Sequence, residues 1–265
     1  MKIGFIGGGN MATALMSGLI NSEKTSAGNI YVFDTDSTKL DFLKKSLGVN
    51  PSASAAEIES LADIVFLAVK PNIMPIIFEE LKGIDNKLYI SIAAGITLSM
   101  LEAGIGIGKK IIRTMPNTPA LVGCGMTVIT PNKNVPGSEI DAIEDLLSGI
   151  GDTVRLDEKY MNAAIALHSS SPAYIYMLID AMADSGVKYG IPKAVSLKLA
   201  AKAVEGSAKM VLNTDEHPMK LKDNVCSPGG TTIAAVCELE KAGFRTSVQS
   251  AIEACVQKAD SMSKK

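Results

Sequence analysis

Three consecutive glycines near the start of the chain have the spacing of a phosphate-binding turn. Gly7, Gly8 and Gly9 follow an apolar run at 3–6, and a helix-like apolar pattern begins at residue 11. Gly7 permits a turn too tight for a side chain, and Gly9 lets backbone N–H groups approach a pyrophosphate at the positive end of the helix. Because a strand, a glycine turn and a helix follow in this order, the pattern predicts dinucleotide binding rather than an ordinary glycine turn.

An acidic residue, Asp34, ends the second strand expected at 29–33. A carboxylate there would accept hydrogen bonds from the hydroxyls of the adenosine ribose, which favours NAD over NADP. Alternatively, Asp34 or Asp36 caps the helix that follows. Since residues 37–39 (STK) could also hold a phosphate, the sequence leaves NADPH or NADH open as the cofactor.

A second candidate ligand site lies far along the chain, in the turn Ser227-Pro-Gly229-Gly230 that leads into Thr231 and Thr232. Hydroxyls and free backbone N–H groups at a helix beginning form an anion trap suited to a carboxylate. The alternative, a helix N-terminus capped by Ser227 or Thr231, explains the threonines but not the two glycines. A carboxylate beside a nicotinamide indicates hydride transfer on a small amino or hydroxy acid.

Strands and helices alternate up to about residue 156, and they position the glycine turn and Asp34. The apolar patterns predict strands at 3–6, 29–33, 64–69, 88–92, 110–114, 126–130 and 153–156, and helices at 11–19, from 37, at 54–61, 73–81 and 138–148. Such alternation predicts an α/β fold with a Rossmann-like, doubly wound, mainly parallel sheet. Ligands of such sheets bind beyond the carboxyl ends of the strands.

Two strand ends carry further candidates. Lys70, after Ala68 and Val69, could reach a phosphate or a ribose hydroxyl, or it is a solvated loop lysine. The small residues 93–95 (AAG) would let a nicotinamide or ribose lie against the backbone. A proline-rich loop at 115–119 is expected to be rigid, and its Asn117 and Thr118 could contact a ligand or form a structural turn.

The pattern changes at about Asp157, beyond which only helices are expected. They fall at 158–167, 172–189, 193–213, 231–241 and 244–261. We therefore expect two domains, 1–156 for the dinucleotide and 157–265 for a helical domain. Several of these helices are apolar on more than one face, so we expect a second copy of the chain to cover them.

Composition excludes several classes of function. The 265 residues include 26 basic and 28 acidic residues without a run of five like charges, which argues against nucleic acid as a partner. The sequence shows neither a membrane-spanning apolar stretch nor a signal peptide, so we expect a cytoplasmic protein. Four cysteines without a CxxC pair and two histidines make a metal site or a disulfide framework improbable.

Four stretches together resemble the pyrroline-5-carboxylate reductase family. They are GFIGGGNMA at 4–12, AVKP at 68–71, RTMPNTP at 113–119 and KDNVCSPGGTTI at 222–233. The resemblance covers essentially the whole chain in the same order. It implies reduction of 1-pyrroline-5-carboxylate to L-proline by NAD(P)H, the last step of proline biosynthesis. It also implies that the helical half forms the homodimer, that dimers assemble into decamers, and that helices of both subunits contact the substrate.

The resemblance also assigns roles to residues of this chain. It implies that Ser227, Gly230 and Thr231, with Gly229 in the same turn, hold the substrate carboxylate. Thr232 is similar to the threonine that binds the ring nitrogen. Asp215 falls where relatives have an acidic residue near the imine, with Glu216 a neighbouring candidate, although both could be solvated charges. The cofactor contacts implied are Gly7, Gly9, Asn10, Met11, Ala68, Lys70, Pro71, Ala94 and Gly95.

The sequence departs from the family pattern at two places. Where relatives usually have Ser-Gly-Ser-Gly-Pro, this chain has His168 and three serines before Pro172. The imidazole of His168 is either a polar packing group or takes part in substrate or proton handling. Asp34 stands where relatives have serine, arginine or asparagine, which again favours NAD.

Two other functions fit part of the pattern. A sensor that binds NAD(P) without chemistry would keep the glycine turn but would not need the carboxylate trap. A 3-hydroxyacid-type dehydrogenase would need a lysine or histidine to take the alcohol proton, and Lys198 and Lys202 are the candidates on a helix.

Overall fold

A single sheet of eight strands organises the first part of the molecule. The computed structural model describes residues 1–81 and 83–263. The strands are β1 (Ile3–Ile6), β2 (Ile30–Phe33), β3 (Asn50–Pro51), β4 (Ile64–Leu67), β5 (Leu88–Ser91), β6 (Lys110–Met115), β7 (Gly125–Pro131) and β8 (Gly151–Arg155). Their order is β3-β2-β1-β4-β5-β6-β7-β8, and only the β6–β7 pairing is antiparallel. The mainly parallel, doubly wound sheet that the sequence predicts is confirmed.

Helices connect and cover these strands. They are α1 (Asn10–Asn21), α2 (Ser37–Leu47), α3 (Ala55–Leu61), α4 (Met74–Glu80), α5 (Leu98–Ile105), α6 (Gly137–Leu147) and α7 (Met161–Ala164). Short 3-10 helices precede α4 at Pro71–Ile73 and follow β6 at Thr118–Val122, within and beyond the predicted rigid loop. A π-helix at Ile165–Ser169 continues α7.

The core lies on both faces of the sheet because the central strands are buried on both sides. In β1, Ile3 and Phe5 pack into one apolar cluster and Ile6 into the other. The rings of Phe5 and Phe66, paired in register across β1 and β4, stack with centroids 4.7 Å apart. Full burial of short apolar runs is typical of the central strands of a parallel sheet.

The last part of the chain is helical, as the sequence predicts. Its helices are α8 (Ser171–Lys188), α9 (Lys193–Thr214), α10 (Pro218–Val225), α11 (Thr231–Lys241) and α12 (Phe244–Ser263). Along the described chain, no helix combines the length and apolar composition needed to cross a membrane.

Contacts divide the chain into two compact units. One contains residues 1–170 together with the chain from Cys255 onward, and the other contains residues 171–254. Within the second unit only Ala183, Ser196 and Ala200 are buried among the described residues. A unit with so little interior leaves its apolar side chains on the surface, among them Met177, Leu199 and Leu212.

Three elements differ from the sequence expectation. The sequence patterns did not predict α5, α10 or the two-residue strand β3. Thr97 begins α5 by accepting a hydrogen bond from the Met100 N–H at 3.2 Å, but this helix is short and contains glycine, which weakens its periodic signal. Pro218 begins α10, which has only eight residues, so the periodic signal of its apolar residues is short.

Candidate active site

The glycine turn between β1 and α1 has the backbone geometry of a phosphate cradle. Gly7 has a φ of +106°, and a Cβ placed on it would lie 2.6 Å from the carbonyl oxygen of Ala68. Gly9 is the N-cap of α1, and no side chain caps this helix. A Cβ placed on Gly9 would meet no atom within 4 Å. The N–H groups of the first turn, which includes Asn10 and Met11, are therefore oriented toward open space where a phosphate fits.

The carboxylate of Asp34 is tied to the glycine turn. Its Oδ2 accepts the Gly8 N–H at 2.8 Å, and its Oδ1 accepts the Asp36 N–H at 2.9 Å. Lys39 Nζ lies 3.5 Å from Oδ1, and the Asp34 side chain is 12 % exposed. Asp34 thus joins the end of β2 to the turn while part of its carboxylate still faces solvent.

Asp36, not Asp34, caps α2. Its Oδ1 accepts hydrogen bonds from the N–H of Thr38, at 3.0 Å, and from the Thr38 hydroxyl. The hydroxyl contact is the main reason that the pKa of Asp36 lies below its ordinary value. Of the two alternatives open from the sequence, helix capping applies to Asp36, and Asp34 is left for a ligand.

A cavity of about 360 Å³ opens beside the glycine turn. It brings together five of the predicted cofactor residues, namely Gly7, Gly9, Asp34, Ala68 and Lys70. Pro71 begins the 3-10 helix that follows Lys70. Lys39, from the stretch 37–39 that the sequence offers for a phosphate, also lines the cavity. The sequence patterns did not identify the rest of the lining, which is Phe33, Thr35, Val69, Ile73, Ile76, Ile77 and Glu80. The spacing of the apolar residues after Pro71 was the available signal, because it is that of one helix face.

Ala94 and Gly95 line a second cavity of about 250 Å³ within the same unit. Gly95 has a φ of +79°, so the turn after β5 needs glycine at this position. The other lining residues include Ser170 and Cys255, and the Cys255 thiol donates to the Ser170 hydroxyl with a separation of 3.2 Å. Neither Ser170 nor Cys255 was a candidate from the sequence.

His168 and Asn117 fill structural roles. Both ring nitrogens of His168 lie within hydrogen-bond distance of backbone carbonyl oxygens, that of Ala164 at 2.5 Å and that of Met115 at 2.8 Å. The buried Asn117 side chain donates to the His168 carbonyl and accepts the Met126 N–H, each at 2.9 Å. Of the alternatives open from the sequence, packing is the one that these contacts support for both residues.

The departure from the glycine-containing run is accommodated without strain. The two positions where relatives usually have glycine are Ser169, which ends the π-helix, and Ser171, which begins α8, and neither has a positive φ. A backbone of this kind does not require glycine.

In the second unit, the Ser-Pro-Gly-Gly turn presents an uncapped helix beginning. Gly230 is the N-cap of α11, and no side chain caps it. Gly229 has a φ of +66°, and a Cβ on Gly230 would lie 2.4 Å from the Ser227 hydroxyl oxygen. The Gly230 N–H donates to the Ser227 carbonyl at 3.0 Å. The alternative in which Ser227 or Thr231 caps the helix is therefore wrong. The positive φ of Gly229 favours glycine in the turn, and a side chain on Gly230 would crowd the Ser227 hydroxyl.

Asp215 lies elsewhere in this unit. It ends α9 in the left-handed conformation, with a φ of 54°, and both it and Glu216 are exposed. The helix α10 separates Asp215 from Ser227 along the chain. No hydrogen bond in the described part of the chain joins Asp215 to residues 227–232, so its place near a substrate remains a prediction.

Comparison with known proteins identifies both halves of the chain. The family described as "Pyrroline-5-carboxylate reductase dimerisation" matches residues 158–262, and the family described as "NADP oxidoreductase coenzyme F420-dependent" matches residues 2–95. Residues 158–262 thus form a dimerisation domain.

Individual relatives match over the whole length. The chain is 47 % identical to pyrroline-5-carboxylate reductase of Escherichia coli (strain K12), covering 99 % of this chain and 98 % of the relative. It is 39 % identical to that of Synechocystis, covering 100 % and 99 %. A crystal structure of Plasmodium falciparum pyrroline carboxylate reductase with NADP bound superposes with a TM-score of 0.91 at 34 % identity, covering 99 % of this chain and 98 % of that one.

Proposed function

The chain belongs to the pyrroline-5-carboxylate reductase family, and from this membership we propose the residues that perform its reaction. It is an NAD(P)H-dependent oxidoreductase of proline biosynthesis that reduces 1-pyrroline-5-carboxylate to L-proline. The structural observation that carries the proposal is the pair of helix beginnings, α1 and α11, that no side chain caps. One suits a diphosphate and the other suits a carboxylate.

We propose that the dinucleotide lies along the cavity beside the glycine turn. The N–H groups after Gly7 and Gly9, at Asn10 and Met11, hold the pyrophosphate, and Asp34 holds the adenosine ribose. Lys70, which lines the same cavity, reaches a phosphate or a ribose hydroxyl. The remaining contacts in the proposal are Ala68, Pro71, Ala94 and Gly95. Both NADH and NADPH remain candidates, since Lys39 stands beside Asp34 and its cation suits a 2′-phosphate.

We propose that the substrate carboxylate lies at the beginning of α11. Ser227 and Thr231 offer it hydroxyls, and Gly229 and Thr231 offer backbone N–H groups. Gly230, whose own N–H donates to the Ser227 carbonyl, leaves room for the carboxylate because it has no side chain. The hydroxyl of Thr232 accepts or donates at the ring nitrogen and so orients the imine. Asp215 or a water molecule supplies the proton.

The reaction needs positioning more than acid–base catalysis. When bound, the reduced nicotinamide supplies a hydride to the carbon of the C=N bond, and a proton on nitrogen makes that carbon a good electrophile. The carboxylate trap fixes the ring, and Thr232 fixes the direction of the C=N bond relative to the donor face. Holding two reactants in this geometry removes much of the entropic cost of the encounter.

We also propose the organisation of the chain. Residues 1–156 form the dinucleotide domain and residues 157–265 the helical domain, a division that the family match from residue 158 supports. We propose a homodimer that assembles further into a decamer, with helices of both subunits contacting the substrate. The protein is proposed to be cytoplasmic.

One assay tests this function against its two competitors. We expect oxidation of NADH or NADPH on addition of 1-pyrroline-5-carboxylate, and no reduction of NAD⁺ or NADP⁺ by 3-hydroxyacids. Turnover with 3-hydroxyacids alone would favour the dehydrogenase. Dinucleotide binding without turnover of either substrate would favour the sensor.

A further inference from the structure

One wall of the cavity beside the glycine turn is a stripe on a single helix face. Ile73, Ile76, Ile77 and Glu80 line the cavity at spacings of three, four and seven residues. Residues at these spacings share one side of a helix. The stripe therefore presents three apolar side chains followed by one carboxylate, all toward the same space.

The apolar part of the stripe is incompletely covered by the protein itself. Ile77 is 4 % exposed, whereas Ile76, one residue before it, is 55 % exposed. An isoleucine that lines a cavity and keeps more than half of its surface in water is stabilised by an apolar ligand that displaces this water.

Glu80 stands at the end of the stripe without a partner. Within the described residues it makes no hydrogen bond or ion pair, in contrast to Asp34, the other carboxylate of the cavity, which accepts two backbone N–H groups. Glu80 is also the last residue of α4, where the helix dipole disfavours a negative charge. The carboxylate thus serves no evident purpose in stabilising the helix.

The stripe shares its cavity with the glycine turn and Asp34, which indicates what the stripe binds, given the proposed function on which this inference rests. If the pyrophosphate lies at the glycine turn and the ribose at Asp34, the base attached to that ribose extends beyond Asp34. Thr35, Lys39 and the stripe line this same cavity together with Asp34.

We propose that Glu80 reads the purine of the cofactor. The face of the base lies against Ile73 and Ile76, and the Glu80 carboxylate accepts a hydrogen bond from the exocyclic amino group of adenine. An ionised carboxylate is an acceptor only. It therefore pairs with the amino group of adenine, while the carbonyl of a 6-oxopurine at the same position meets it with repelling lone pairs. The predicted consequence is selection of adenine over hypoxanthine dinucleotides.

The test compares the dissociation constants of NADH and of reduced nicotinamide hypoxanthine dinucleotide, measured by nicotinamide fluorescence on the full-length protein. We expect the wild type to bind NADH about five- to tenfold more tightly, as for one partly solvated hydrogen bond to a charged group. We expect Glu80→Ala to bring the ratio near one. Glu80→Gln, whose amide both donates and accepts, should also lower the ratio while NADH still binds.

The neighbouring Glu79 provides the matched control, because it lies on the same helix and is exposed but does not line the cavity. Glu79→Ala should keep the wild-type ratio. Equal binding of the two dinucleotides by the wild type, or an unchanged ratio in Glu80→Ala, would overturn the proposal. Turnover of 1-pyrroline-5-carboxylate by the wild type is measured separately. Its absence would contradict the proposed function, whereas its presence with either of the two results above would contradict only the role of Glu80.

Discussion

Thr232 and Asp34 carry the two most specific proposals at the scale of single residues. Thr232 is the second residue of α11, directly after the uncapped beginning of this helix, and it is half-buried. Asp34 is held on two backbone N–H groups. The sequence placed both residues correctly at the ends of their elements, because each follows a local pattern of apolar and turn residues.

We predict that Thr232→Ala lowers kcat with 1-pyrroline-5-carboxylate by up to about 10², as expected for the loss of one oriented hydrogen bond. Steady-state kinetics with saturating NADH or NADPH would measure the effect. Thr232→Ser keeps the hydroxyl and is expected to recover most of the rate. Kinetics of Thr232→Ala equal to the wild type would remove this residue from the mechanism.

We predict that Asp34→Ser raises the ratio of kcat/KM for NADPH to that for NADH by about tenfold or more, because a like charge no longer opposes the 2′-phosphate. Since Asp34 also accepts the Gly8 N–H, KM should rise for both cofactors. The control is Asp36→Ser, which keeps a good N-cap of α2 and does not line the cavity. A cofactor ratio that stays constant in Asp34→Ser would contradict the ribose assignment.

At the scale of elements, the glycine turn contains one residue, Gly7, that the backbone requires and one, Gly9, that we propose to be needed for binding. Gly7 has a left-handed backbone and no room for a Cβ, whereas a Cβ on Gly9 meets only open space in the cavity. The sequence pattern marks the two glycines alike. The structure gives them different conformations and surroundings.

We predict that Gly7→Ala destabilises the protein by about 1–3 kcal/mol, since an alanine is strained in this conformation. Gly9→Ala should leave the melting temperature nearly unchanged and weaken NADH binding by about tenfold, because its methyl group occupies ligand space. Thermal unfolding and a fluorescence titration on both variants would test this. A large loss of stability in Gly9→Ala, or normal NADH binding by it, would contradict the assignment.

The π-helix at Ile165–Ser169 is a feature that the apolar pattern of the sequence does not predict. A helix is expected at 158–167, and the structure has a 3-10 turn, α7 and then the π-helix in this region. These helix types differ in the carbonyl to which each backbone N–H donates its hydrogen bond. The spacing of apolar residues does not report this difference. The contacts of His168 with the Ala164 and Met115 carbonyls are the tertiary feature that accompanies the change.

At the scale of the whole molecule, the unit of residues 171–254 exposes much apolar surface. Its α8 and α9 pack closely, since a Cβ on Gly186 would lie 2.4 Å from the Ser196 hydroxyl oxygen. Large apolar side chains such as Leu199, which is 58 % exposed, remain uncovered on the other faces. Exposed apolar surface of this extent is typical of an obligate subunit interface.

We predict that the protein sediments as a dimer or a larger oligomer at micromolar concentration. Leu199→Glu should shift it toward monomer and lower its activity, because a charge would be buried at the interface. Ile107→Glu, which places the same charge on an exposed apolar residue of the other unit, should leave the oligomer intact. A stable wild-type monomer in analytical ultracentrifugation would contradict this prediction.

The sequence by itself determined the α/β alternation, the change to helices near residue 157, the glycine turn and the Ser-Pro-Gly-Gly turn. These features depend on neighbours within a few positions, which fix backbone conformation and the apolar face of each element. Such patterns are therefore visible without a fold.

Only the tertiary structure decided three features. They are the antiparallel direction of β7 and β8 relative to the other strands, the hydrogen bond from the Gly8 N–H to Asp34, and the lining of the two cavities. Strand direction does not alter the apolar pattern of a strand. Gly8 and Asp34 meet because β1 and β2 lie side by side, and Ser170 meets Cys255 across 85 positions of sequence. Contacts between residues so far apart follow from packing of whole elements, which local residue order does not encode.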